Sequence, residues 1–167
     1  MTSPRTPPLA LRRLTPGERA LAAEMFGDGL DAGRVRLLAI PAWNRAFVAG
    51  PGLIVWPAAT ARPDFAASDV PLRLQAVFVH ELTHVWQAQN GVWLLAAKLR
   101  AGDGAAAYAY DLSAGGAFAD LNIEQQAMVV EHAFLASRGR RTQHPPELYA
   151  AARPNWRRDD ADSPGRG

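Results

Sequence analysis

The sequence predicts an α+β fold, with a small antiparallel or mixed sheet packed on an N-terminal helix, a central helix and a C-terminal helix. Three observations predict it. Short β-type runs, broken by Gly and Pro, are confined to residues 34–56. Longer segments with apolar residues at helical spacing flank them on both sides. The run from Val77 to Gln87 holds an H-E-x-x-H pattern among apolar neighbours, which reads as one continuous helix.

Taken in order, residues 1–13 are rich in Pro and Arg and read as a disordered tail. Thr15-Pro16-Gly17-Glu18 is a capping box with Pro at the first helical position, so a helix is expected over Pro16–Phe26 with Leu21, Ala22 and Met25 inward. Gly27, Gly29 and Gly33 break it. Residues 34–40 alternate, Val35 and Leu37 against Arg34 and Arg36, as a half-buried strand does, and Pro41 ends them. Residues 46–49 and 53–56 are two more short strands around the Gly50-Pro51-Gly52 turn. Asp69 is the expected N-cap of the motif helix, Pro71 its first turn and Asn90-Gly91 its stop. Residues 92–99 form a second apolar run, a short helix on the core or a wall of a cleft. Residues 101–117 read as loop. A last helix is expected over 118–138, with Ile123, Ala127, Val130 and Phe134 at helical spacing. The folded domain is expected over 14–143, followed by a Pro- and Arg-rich appendage and disordered tail over 144–167.

At 167 residues and 49% apolar content the chain suits one globular domain. It has no cysteine, which excludes disulfides, thiolate metal ligands and thiol catalysis. No stretch approaches the ~20 apolar residues of a membrane span. Residues 1–8 contain no apolar signal core, so cytoplasmic synthesis, with export by a signal-less route, is the expected localisation. Net charge is +2. The basic clusters Arg12-Arg13, Arg138-Gly139-Arg140-Arg141 and Arg157-Arg158 fall mostly at element ends or in tails, which argues against nucleic-acid binding.

His80, Glu81 and His84 carry the chemistry. Residues four apart on a helix share one face, so the two imidazoles can hold one zinc ion from one side. Glu81 faces the open side of the metal, where zinc brings the pKa of a water to about 7 and a carboxylate can take its proton. That is the chemistry of peptide-bond hydrolysis. With this composition roughly 0.003 chance matches to the pattern are expected. The blander alternative is two helix histidines paired with nearby acids.

Catalytic zinc takes three protein ligands. Gln87 and Asn90 stand three and six residues after His84, where an extended motif would place Gly and His, so the third ligand lies farther on. Asp111, Asp120, Glu124, Glu131 and His132 are the candidates. Glu124 is the best, because a Glu between core-type Ile123 and Ala127 faces inward only toward something positive. Glu131, seven residues on and nearly on the same face, is the fallback or a partner for a zinc-bound histidine. His132 lies on another stripe. Tyr108 or Tyr110 could supply the donor that a developing oxyanion needs, against the plainer reading of two packed aromatics. Gln87 and Gln125 are weaker candidates to line the cleft.

The segment from His80 to Gln87 resembles the zinc-metallopeptidase domain family found beside contractile injection systems (domain of unknown function 4157), and more nearly its short bacterial "Vgr-related" members. The helix at Leu14–Glu18, the strands ending at Trp56-Pro57, Tyr108-Ala109-Tyr110 and Ile123–Ala127 follow in the same order, over residues 14–138. The resemblance implies a gluzincin-like zincin fold, His80, His84 and Glu124 as ligands to Zn2+, and Glu81 as base. A peptide or protein substrate is one expected partner, and a secretion-system spike or tube protein another. A zinc-bearing adaptor without catalysis and a delivered toxin are the competing readings.

Overall fold

The computed structural model describes residues 5–102 and 104–152. The expected tails at 1–4 and 153–167, with Arg157-Arg158, lie outside the described residues. The elements are β1 (Leu11–Arg13), α1 (Pro16–Phe26), β2 (Arg36–Ile40), β3 (Phe47–Val48), β4 (Leu53–Pro57), α2 (Leu72–Gln89), α3 (Leu94–Ala101), α4 (Ala105–Tyr108), α5 (Ile123–Ser137) and α6 (Pro146–Ala152). The fold is therefore α+β, with a mixed sheet in the order β1-β2-β4-β3. β2 runs parallel to β4, while β1 and β3 pair antiparallel at the two edges.

Local chemistry explains most of the boundaries. Thr15 accepts from the Glu18 N–H and the Glu18 carboxylate accepts from the Thr15 N–H, which closes the expected capping box of α1. Val35, Leu37 and Ala39 are fully buried, so the alternation read from the sequence is the core face of β2 and its approach. Gly50, at φ 87°, and Gly52 shape the β3–β4 turn; a Cβ on Gly52 would stand 3.0 Å from the Arg34 carbonyl oxygen. Phe65 stacks on Phe78 with ring centroids 4.8 Å apart, and Trp56 lies 4.4 Å from Phe65, anchoring α2 against the sheet.

The structure departs from the sequence expectation at six places. Residues 5–13 are not a loose tail. β1 pairs with β2, and the Arg12 guanidinium grips the buried Glu18 carboxylate at 2.6 and 2.7 Å. The second strand begins at Arg36, because Ala32–Arg34 forms a 3-10 turn in which Asp31 Oδ1 accepts from the Gly33 N–H. The N-cap of α2 is Pro71 rather than Asp69; the Pro71 carbonyl accepts from Leu74 and Gln75, with no side-chain cap. The last long helix begins at Ile123, since Asn122 and Gln125 form a second capping box, and Phe118–Asp120 is a separate 3-10 turn. The stretch read as loop contains α4, and the appendage contains α6, whose Tyr149 is 1% exposed. Among the described residues no helix is long and apolar enough to cross a membrane.

Candidate metal centre

α2 packs chiefly against α5, and the centre lies between them. His80 and His84 share one face of α2. Glu124 sits in the first turn of α5, where the Asn122 cap fixes the start of the helix. Glu124 Oε2 stands 3.4 Å from the Nε2 atoms of both histidines. With metal–ligand bonds of 2.0–2.1 Å, the edge of a tetrahedron is about 3.3–3.4 Å, so each of the two Glu124–histidine separations matches that between two zinc ligands. The three ligand atoms all lie within 4.8 Å of one another. His80, His84 and Glu124 thus form a group that could hold a metal ion.

The other ring nitrogens have partners. His80 Nδ1 lies 3.0 Å from Glu131 Oε2, and His84 Nδ1 lies 2.8 Å from Gln87 Oε1. Both partners are acceptors, so Nδ1 carries the proton on each ring and Nε2 can present a lone pair to a cation. Glu124 Oε1 and Glu81 Oε2 are buried without a hydrogen bond among the described residues, although Lys98 Nζ approaches Glu124 Oε1 at 3.3 Å. Lys98 faces Glu124 Oε1, but Glu81 Oε2 is left buried without a hydrogen bond beside two imidazoles and a second carboxylate, so the donor set fits a metal.

Titration follows the same charges. Burial opposes a charge on His80, but hydrogen bonds to Glu124 and Glu131 and the charges of Glu81 and Glu131 outweigh it and raise the imidazole to about 9. Burial pushes the Glu81 carboxyl up, against the pull of His84, His80 and Lys98. Burial acts upward on Glu124 too, yet its hydrogen bonds to His80 and His84 and the charges of His84 and Lys98 hold it well below the usual carboxylate range.

No family model matches the chain. Over 134 residues, 74% of this chain, it is 37% identical to the type VI secretion system spike protein VgrG2b of Pseudomonas aeruginosa, of which it spans 13%. The solved effector domain of Pseudomonas aeruginosa VgrG2b matches it with a TM-score of 0.65 at 32% identity, covering 85% of this chain and 81% of that one. The chain belongs to the VgrG2b effector-domain family.

In this VgrG2b-type domain the remaining residues singled out from the sequence separate into two groups. Tyr108 lines the same polar cavity, of about 550 Å3, as His80, Glu81, His84 and Glu124, and its hydroxyl accepts from Arg45 at 3.3 Å. Tyr110 is not brought there. α4 ends at Tyr108 and Ala109 is extended, so the Tyr110 hydroxyl turns to His132 Nδ1 and to the Tyr149 hydroxyl. Burial and the Tyr149 hydroxyl push that phenol up. Asp111 and Asp120 are exposed and His132 faces Tyr110, so none of the three joins the cluster. Gln87 is fully buried rather than a cleft-lining surface residue, and Gln125 is occupied in the α5 capping box. Lys98 and Arg45, which the sequence reading left out, border the site. The signal for Lys98 was its place as the single lysine of the chain, in the apolar run after the motif helix.

Proposed function

We infer that this chain is an effector carried by a type VI secretion spike, and that it hydrolyses peptide bonds with Zn2+ held by His80, His84 and Glu124 and with Glu81 as general base. The observation that carries the reading is the equal spacing of 3.4 Å from one Glu124 oxygen to two imidazole nitrogens whose other atoms are already engaged. Zinc bound there would supply Lewis acidity at a position left free by the protein.

The side chains around that position have tasks that follow from where they stand. Glu81 Oε2 is buried and makes no hydrogen bond among the described residues, so it is free to accept a proton. Burial raises the affinity of Glu81 for that proton, while His84, His80 and Lys98 keep it able to release it to a leaving amine. Glu131 and Gln87 orient the two rings. Tyr108, with its hydroxyl on the polar cavity, is the better placed of the two tyrosines to donate to a developing oxyanion.

The decisive experiment is zinc analysis beside a peptide-library digest. Wild type is expected to hold one zinc and cut. Glu81→Gln should hold one zinc and not cut, and Glu124→Ala should lose the metal. Unchanged turnover in Glu81→Gln removes the assigned base; a wild type that binds no zinc removes the whole reading.

A second reading is a zinc-bearing adaptor without catalysis, which the kinship to a spike protein supports. Either way the chain would leave the cell with the spike. Capture of a spike or tube protein with no cleavage of any peptide favours the adaptor.

A further inference from the structure

Beside the metal ligands lies a second cavity, of about 490 Å3, between the β3–β4 hairpin and α3. Phe47, Val48, Val92, Trp93 and Leu94 line it, with Ala88 one helical turn past His84. Its ionisable lining residues are His84, Lys98 and Glu124, and the same three also line the polar cavity that holds Glu81. The two cavities therefore meet at the metal ligands, one charged and the other apolar. α3 has no fully buried residue, and Trp93 is 73% exposed, so the core does not use the α3 wall of this cavity.

We propose that this apolar cavity is the specificity subsite of the effector, taking one large apolar side chain, such as Phe or Leu, from an extended peptide bound across the metal ligands. The proposal rests on the peptidase reading. Its volume falls within the about 300–1,000 Å3 of small-ligand sites, enough for a large side chain with adjoining backbone. The backbone beside it identifies the occupant as peptide. Ala49 N–H donates to the Leu53 carbonyl, so by the alternation of an antiparallel pair the N–H and C=O of Val48 point away from β4. β3 is one of the two edge strands of the described sheet, and an extended chain can pair with those groups where an acyl chain cannot. Continuity with the metal ligands places the selected residue next to the scissile bond. Ala88 is the specificity-determining position, because a larger residue there fills the cavity from α2.

The test uses zinc-loaded Glu81→Gln and two matched peptides that differ only in Phe or Ser at one position, with binding followed by titration calorimetry. Phe is expected to bind about ten- to a hundredfold tighter. Glu81→Gln combined with Ala88→Phe should erase that preference while keeping one zinc. Trp93→Asp, at an exposed position, should weaken it without touching the core. Wild-type digestion should show large apolar residues on one side of the cut. Equal binding of the two peptides overturns the proposal, as does a preference that both second-site variants leave intact. Competition by a medium-chain fatty acid at the affinity of the Phe peptide also overturns it, in favour of a lipid. A binding preference without any hydrolysis by wild type sinks the peptidase reading and leaves the subsite standing; hydrolysis without preference does the reverse.

Discussion

His80 Nδ1 lies 3.0 Å from Oε2 of Glu131, seven residues beyond Glu124 on α5. One helix thus supplies both the carboxylate that faces Nε2 and the carboxylate that anchors the opposite edge of the same ring. An anchored imidazole presents its lone pair without an ordering cost when the cation arrives. Glu131→Ala is expected to weaken zinc binding about 10- to 100-fold, measured by competition with a chromophoric chelator, and Glu131→Gln to recover part of the loss. Unaltered affinity in Glu131→Ala would reduce the contact to an incidental ion pair.

Gln87 plays the matching part for His84. Its oxygen accepts from His84 Nδ1 at 2.8 Å, and its amide donates to the Ile123 carbonyl at 3.0 Å and to Gln126 Oε1 at 2.9 Å. The side chain thereby ties the second histidine to the start of the ligand helix. Gln87→Leu fills similar space but strands His84 Nδ1 and takes a donor from the Ile123 carbonyl. The expected cost is about 1–3 kcal/mol of stability by urea denaturation, with a loss of zinc affinity in the same variant. Stability lost with affinity intact would confine Gln87 to packing.

The charge state of His80 gives a pH dependence whose sign is fixed. Its ordinary value is 6.5 and the metal-free fold raises it to about 9. The folded state therefore binds the proton more tightly than the unfolded state. The stabilisation is complete below pH 6.5 and is lost as pH rises through about 9. Thermal denaturation of metal-free protein should show a falling Tm across that window, and His80→Gln should flatten the fall. Zinc needs the neutral ring, so calorimetry in buffers of different ionisation enthalpy at pH 7.5 should report proton release on binding. A flat Tm in metal-free wild type would mean that Glu124 and Glu131 do not hold the proton on His80.

The three residues that could hold a metal ion, His80, His84 and Glu124, were legible because their residue types are informative wherever they occur. Two histidines one turn apart, and a glutamate between core residues, have few uses without a cation. The capping box at Thr15 and Glu18 was equally legible, since its partners are three residues apart. What the sequence concealed depends on pairings across long separations. Arg12 reads as part of a tail until Glu18, Phe65 N and the Arg62 carbonyl are seen around one buried ion pair. Gln87 is a neutral amide whose role exists only through His84 and Ile123. Tyr108 and Tyr110 are two residues apart and indistinguishable by type; the end of α4 between them sends one to the cavity and the other to His132. Asn122 split the expected last helix because its cap competes locally with continuation from Phe118.

Tyr149 shows why residues past 143 belong to the folded structure. It is 1% exposed, its hydroxyl accepts from the His144 N–H at 3.2 Å, and it meets the Tyr110 hydroxyl at the same distance. Tyr110 in turn contacts His132 on α5, the helix that carries Glu124 and Glu131. α6 therefore buttresses α5, the helix that positions Glu124 and Glu131. Truncating a buried aromatic leaves a cavity, so Tyr149→Ala is expected to cost about 3–5 kcal/mol by urea denaturation. Tyr149→Phe keeps the ring and loses only its hydrogen bonds, about 1 kcal/mol. If α6 were an appendage, Tyr149→Ala would leave the midpoint unchanged. If it buttresses α5, the same variant should also weaken zinc binding, because Glu124 and Glu131 would lose the rigid helix that sets their separation.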